Sequence, residues 1–178
     1  MNAALRLSWY KFKHHYMDFV KVLLGIVAFE GLILYIQDKG FLKDFETTRM
    51  TLFLLLFSTS LLIVVQNSIY ISKERSVLNR DFFSGLSRSA FALASMGIHA
   101  FFAVLETIVF ILSYSVFSKF FDKEFPDAGH IFASYRWEVG ITVLLVFLAS
   151  HFIALFISAL VGKSEITSVI LAVVVGIM

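Results

Sequence analysis

Apolar positions in this chain fall into long unbroken runs, with polar residues gathered between them. Runs over residues 19–36, 50–71, 90–118 and 139–161 each approach or exceed the ~20 residues that an α-helix needs to cross a bilayer. Neither the strict alternation of a half-buried strand nor the narrow stripe of a soluble helix is present in them. The pattern predicts an all-α polytopic helical membrane domain of four spans. The third run is long for a hydrocarbon core of ~30 Å at 1.5 Å rise per residue, so it tilts or projects from the membrane. A last apolar run, 166–178, is shorter than a span requires, and the sequence is expected to be cut inside a fifth span.

Two segments outside the spans have their own periodicity. Over residues 1–18, Leu5, Trp9, Phe12, Tyr16, Phe19 and Leu23 recur at alternating spacings of four and three, while Arg6, Lys11, Lys13, His14 and His15 fall mostly on other faces. Tryptophan, tyrosine and lysine together suit the headgroup layer, which predicts an amphipathic interfacial helix leading into the first span. The second segment is residues 71–90, ISKERSVLNRDFFSGLSRSA. Its charges, Lys73, Glu74, Arg75, Arg80, Asp81 and Arg88, alternate with Val77, Leu78, Phe82, Phe83 and Leu86. A solvent loop needs few apolar residues. A short helix docked on a partner needs both kinds, an apolar face for area and charges for register.

Composition agrees with the runs. The chain of 178 residues is 59% hydrophobic and only 16% charged, with 21 Phe, one Pro and no Cys, and its mean hydropathy is +0.86. A net charge of +2 and the lack of a basic, aromatic-laced platform argue against nucleic acid as a partner. Without cysteine there are no disulfides or thiolate metal sites. Basic residues are unequally shared. Nine of the 15 (Arg6, Lys11, Lys13, Lys21, Lys73, Arg75, Arg80, Arg88 and Lys163) lie on the side of the N-terminus, and six on the other. The opposite side carries Asp38, Asp44, Glu46, Asp122, Glu124, Asp127 and Glu138. The positive-inside rule then places the N-terminus and segment 71–90 in the cytoplasm, in a plasma or inner membrane.

Candidate chemistry is sparse. Glu30 and Glu106 lie within spans, where a carboxylate is costly and by default a functional candidate. Glu30 is also within reach of a wet vestibule at the outer end of its span, and Glu106 also fits pairing with a polar residue on a neighbouring helix or a protonated state. His99 and His151 accompany them and read first as packing residues. Asn67 and Gln66, near the inner end of the second span, suit a cavity or an interhelical bond. Ser58, Thr59 and Ser60 are expected to bond back to their own or a neighbouring helix. Gly25 and Gly31 argue only weakly for close helix contact. Neither a HExxH nor a Glu-x-x-His spacing occurs, nor a GxSxG frame, nor a Walker motif. Metal, catalytic nucleophile and nucleotide hydrolysis are therefore not expected in this segment.

The order of these parts resembles the membrane domain of an ATP-binding cassette transporter of the type-2 exporter class, closest to its G subfamily. In that family an amphipathic connecting helix precedes the first span, and the second span runs into a cytoplasmic coupling helix. That helix opens with a Glu-Arg pair and continues through an Arg-Glu pair and a Gly to the third span. Glu74-Arg75, Arg80-Asp81 and Gly85 stand at those places here, and residues 156–160, FISAL, are similar to the family's segment at the end of the fourth span. Asp81 replaces the family's glutamate and is one methylene shorter, and Leu86-Ser87 stands where an aromatic is usual.

The resemblance implies coupling through Glu74, Arg75, Arg80, Asp81, Phe82, Phe83 and Leu86 to a nucleotide-binding ATPase domain, on the same chain or a separate subunit. ATP and Mg²⁺ would sit on that domain and not on this segment. It further implies a second copy of the membrane domain, homo- or heterodimeric. A cavity using Phe53, Phe57 and Asn67 would take a lipid-like or amphipathic cargo, although phenylalanines that face lipid explain Phe53 and Phe57 equally well. Two other classes stay open: a non-transporting scaffold or sensor that binds a cytoplasmic partner, and a membrane-embedded enzyme using Glu30, Glu106 or the histidines.

Overall fold

A computed structural model describes residues 2–37, 45–73, 75–122, 134–161 and 164–177. Seven α-helices make up the described chain: α1 (Asn2–Ile36), α2 (Phe45–Asn67), α3 (Tyr70–Lys73), α4 (Arg75–Phe83), α5 (Arg88–Phe120), α6 (Tyr135–Leu160) and α7 (Glu165–Ile177). Four are long and apolar enough to cross a membrane: α1 from Tyr16, α2 taken with α3, α5 and α6. At 13 residues, α7 is too short.

The four long helices close into a ring. α5 packs on α1 and on α6, and α2 completes the circuit by packing on the same two partners, while α7 lies against α2 and α6. Val22, Ile26, Leu34, Leu55, Ile63, Ala103, Phe110, Tyr114, Val143 and Phe147 fill the centre, drawn from all four helices. Outward positions are just as apolar: Leu24, Leu112, Val116, Leu145 and Phe156 are each more than half exposed. A soluble bundle would place charge there. A bundle apolar on both faces is one whose solvent is lipid.

The first helix joins the amphipathic segment to the first span. α1 is helical without interruption from Asn2 to Ile36, so no break separates an interfacial segment from a span near residue 18. The reason lies in the sequence, because residues 2–24 contain neither Gly nor Pro, and a helix once nucleated has nothing there to stop it. A pair between Lys21 and Asp18, 2.9 Å long, adds a local tie across the expected boundary. The side chains of Leu5, Trp9 and Phe12, on which the aromatic stripe partly rests, lie outside the described residues. Gly25 and Gly31 do sit at helix contacts, with Leu62 of α2 and Phe117 of α5 occupying the space that a Cβ would enter.

The second span differs in detail. A turn at Ser68 and Ile69 separates α2 from α3, where the sequence contains no Gly or Pro. Side chains compete with the ladder at this point: Asn67 Nδ2 donates to the Ile63 carbonyl at 2.9 Å, and the Ser68 hydroxyl to that of Val65 at 2.8 Å. Beyond it, α4 ends in a Schellman turn. The Gly85 amide donates to the Phe82 carbonyl at 3.2 Å, and the Leu86 amide to that of Asp81 at 3.1 Å. Gly85 sits at φ +100°, and a Cβ there would meet nothing. The glycine is needed for its backbone angle alone. Ser87 then caps α5, its hydroxyl accepting from the Ala90 amide at 3.5 Å.

Because the site has space but the wrong φ for an L side chain, Gly85→Ala should destabilise the α4–α5 turn by about 1–2 kcal/mol. Gly85→Asn should cost less, since Asn tolerates positive φ. Thermal unfolding of the two variants in the same detergent checks the order, and equal midpoints would contradict it.

Candidate functional site

The break at Ser68 has a consequence for the helix that follows. The first amides of any helix lack intrahelical acceptors, and those of α3 would be left bare beside an apolar bundle. Another helix supplies the acceptor. The Ser158 hydroxyl, on the last turn of α6, receives the Ile71 amide at 2.8 Å and the Ser72 amide at 3.1 Å, with Ser158 fully buried. The exchange runs the other way as well. Arg75, opening α4, donates through Nη1 to the carbonyls of Val161 at 2.5 Å and Ala159 at 3.4 Å. A cation on the terminal carbonyls of α6 satisfies orphan acceptors and meets the negative end of the helix dipole. Each helix end therefore completes the other.

This reciprocal cap settles where the residues of segment 71–90 point. Arg75 and the buried Leu78 lie toward the bundle. Phe82 is half-buried, its ring edge-on to Phe91 of α5 at 5.9 Å and covered by the Arg88 guanidinium at 5.7 Å. Leu86 is also half-buried. Phe83 is 93% exposed, and Val77 and Arg80 share the open side with it, while Asp81 is half-exposed. Of the three apolar residues expected to offer docking area together, only Phe83 stands fully clear of this chain. Glu74 lies outside the described residues.

A second constellation was not visible in the sequence as a unit. α5 places Ser95, His99, Glu106 and Thr107 on its buried face, and α6 brings His151 opposite them. His151 Nε2 lies 2.8 Å from Glu106 Oε2, and its Nδ1 lies 3.0 Å from His99 Nδ1. All three side chains are closed off from solvent. The His99 ring is held edge-on by Tyr70 at 4.8 Å and by Phe102 at 5.6 Å. His99 Nε2, Glu106 Oε1 and Ser95 Oγ have no hydrogen-bond partner. Among the described residues no cluster of three or more His, Asp or Glu could hold a metal ion.

The remaining candidates stay separate from both places. Glu30 is fully buried and accepts a hydrogen bond from the Ser113 hydroxyl of α5, which pins α1 to α5. Asn67 is turned back on its own helix through its bond to Ile63. Ser58, Thr59 and Ser60 likewise donate to the carbonyls of Leu54, Leu55 and Phe57. Phe53 and Phe57 stack on one another at 5.7 Å, with Phe53 on the outer surface.

A helical membrane bundle with a short amphipathic helix at one end suits several transporter classes. The comparison with known families decides among them: the family model described as ABC-2 type transporter matches residues 6–178. The chain belongs to the ABC-2 type transporter family. No curated protein and no solved structure matches it. The ABC-2 membrane domain is thus an all-α, multi-pass bundle, and its distinguishing local feature is the mutual capping of α3–α4 and α6.

If the Ser158 hydroxyl is the sole acceptor for two amides, its loss is expensive. Ser158→Ala should destabilise the domain by about 1–3 kcal/mol. Ser115→Ala, which removes a hydroxyl that donates only to its own helix at Ile111, should change stability by less than about 0.5 kcal/mol. Thermal or denaturant unfolding in matched detergent tests this, and equal losses would show that the cross-helix cap carries no special weight.

Proposed function

We propose that this segment is the membrane domain of an ATP-driven exporter of the type-2, G-subfamily-like class, with α3–α4 as the coupling element to a nucleotide-binding ATPase domain. The observation that carries the reading is the two-sided character of α4. One side is locked to the α6 terminus through Arg75, and the other presents Phe83, Val77 and Arg80 to the outside. A helix held on one face, with apolar and charged side chains together on its free face, is suited to receive a push and pass it into the bundle.

In this reading the ATPase domain, carrying ATP and Mg²⁺, grips the outer face of α4. Phe83 supplies docking area worth about 1.5–3 kcal/mol when buried, while Arg80 and Asp81 set register, each contributing about 0–1 kcal/mol if exposed. Displacement of α4 reaches α6 through Arg75 and Ser158, and reaches α5 through the tight turn at Gly85. A second copy of the domain completes the path for cargo, and the apolar character of the whole bundle favours a lipid-like or amphipathic substrate. Glu30, bonded to Ser113, serves in this scheme to tie α1 to α5. The charge distribution supports a cytoplasmic N-terminus and a cytoplasmic α4.

Two measurements test this. In the intact, reconstituted transporter, Phe83→Asp should reduce transport and cargo-stimulated ATPase activity by roughly tenfold to a hundredfold, the loss matching 1.5–3 kcal/mol of docking energy. Insertion should be unaffected, since the side chain is 93% exposed. Arg75→Ala should lower both stability and coupling. Transport by Phe83→Asp equal to that of the outer-loop control Asp127→Ala would remove the coupling role and favour a partner-binding scaffold.

Orientation has its own test. In intact cells, an impermeant thiol reagent applied from outside should label Asp127→Cys and leave Ser76→Cys untouched. The opposite pattern reverses the topology.

A further inference from the structure

The row Glu106–His151–His99 has a property that separates it from an ordinary packing contact. Its two hydrogen bonds share the middle imidazole, one through each ring nitrogen. A neutral imidazole donates from one nitrogen and accepts at the other, so fixing one bond fixes the direction of the next. With neutral rings and no proton on the unpartnered Glu106 Oε1, two arrangements satisfy both bonds. In the first, Glu106 is a carboxylate, His151 donates from Nε2 to Oε2, and His99 donates from Nδ1 to His151 Nδ1. In the second, Glu106 is a carboxylic acid donating to His151 Nε2, His151 donates from Nδ1 to His99 Nδ1, and His99 carries its proton on Nε2.

The two arrangements differ by a single proton. Starting from the first, a proton that bonds to His99 Nε2 lets His99 release the one on Nδ1 to His151 Nδ1. His151 then releases its Nε2 proton to Glu106 Oε2. Three N–H or O–H bonds form and two N–H bonds break, the excess being the proton taken up, and every hydrogen bond reverses direction while the heavy atoms keep their places. The atom this sequence needs as a receiving point, His99 Nε2, is buried and unpartnered, and so is Glu106 Oε1 at the far end. We infer that the Glu106–His151–His99 row between α5 and α6 is a binding site for one proton, received at His99 and stored on Glu106.

Among the described residues, nothing else in the neighbourhood supplies a competing charge. α1 faces this level of α5 with Phe19, whose ring lies 4.8 Å from that of Phe102; its charged pair Lys21–Asp18 is bonded to itself, with Lys21 well exposed, and Glu30 is engaged further along with Ser113. α2 has no ionisable residue from Thr51 to Asn67, and α6 has only His151 between Glu138 and its end. α3 contributes the Tyr70 ring over His99, and its Lys73 is exposed; on α5 itself Ser95 and Thr107 are the flanking polar groups. α7 carries no charge after Glu165. Tyr70 belongs to α3, the helix capped by Ser158, so the ring that closes the receiving end is mounted on the element that links α4 to α6.

The test uses the intact protein in lipid nanodiscs and infrared difference spectra taken while the bulk pH is stepped. Labelling glutamate with ¹³C at the side-chain carboxyl identifies the carboxylic-acid carbonyl stretch without any substitution. Uptake should appear as growth of this band on acidification. One component of this band should be lost from Glu106→Gln and retained by Glu30→Gln. In His99→Gln, which keeps a hydrogen-bonding group but takes up no proton at neutral pH, that component should rise more slowly after the pH step or at a shifted midpoint. Three results would overturn the inference: no titrating component lost between labelled wild type and Glu106→Gln, loss of the same component from Glu30→Gln, or a His99→Gln profile identical to wild type in both midpoint and rate. If Glu106→Gln does not assemble, the His99→Gln and labelled wild-type measurements decide alone.

Discussion

In a bilayer no water is at hand to rescue an unpaired amide or carbonyl, and this domain turns on a place where two of its helices fail to satisfy themselves. The turn at Ser68 and Ile69 strips the first amides of α3 of intrahelical acceptors, and the end of α6 leaves its last carbonyls open. Ser158 and Arg75 close both deficits at once. The small apolar cluster beside them, Val64, Ile157, Val161 and Ala172, shields the exchange with residues from α2, α6 and α7. Lifting α3 or α4 away from α6 would therefore expose several backbone groups together, which makes this junction move as a unit rather than residue by residue.

Much of the fold was legible because a membrane span writes itself into the sequence as length and hydropathy. The four long helices fall where the apolar runs are, and the Ser and Thr residues at 58–60 bond back to their own helix as their type suggests. α1 runs unbroken from Asn2 because nothing in residues 2–24 can stop it. A boundary moved where local chemistry outweighed run length: the second span breaks at Ser68 through side-chain hydrogen bonds that apolar counting ignores. The glycine at position 85 was recognisable as part of a familiar motif, but its reason, a positive φ inside a Schellman turn, became clear only from the backbone.

The site was less legible, for a physical reason. Arg75 finds its partner in the carbonyls of Ala159 and Val161, and every residue has a carbonyl, so no side-chain signal marks the acceptor. Ser158 is one serine among many until its position opposite Ile71 and Ser72 is known. His99 and His151 lie 52 positions apart, and local spacing rules are blind to pairs that meet across two helices. What the sequence did carry was cost: Glu106 inside a run with no other charge needed some answer, and the histidines were the available polar groups. Phe82 and Phe83 show the converse limit. They are adjacent and chemically identical, yet the helix sends one toward α5 and the other into the open.

The tight turn between α4 and α5 leaves almost no slack chain, and α5 spans 33 residues. At 1.5 Å per residue it is a rod of about 50 Å. Its first turn is joined to α4 through the turn at Gly85, and its middle is gripped by α1 and α6. Such a rod behaves as a lever with its fulcrum in the bundle centre, near Ala103. A tilt of roughly 5° about that point would swing each end by about 2 Å in opposite directions, by the geometry of a helix of that length. Motion applied at the α4 end would thus arrive at the far end of α5 amplified neither up nor down, but reversed in sign.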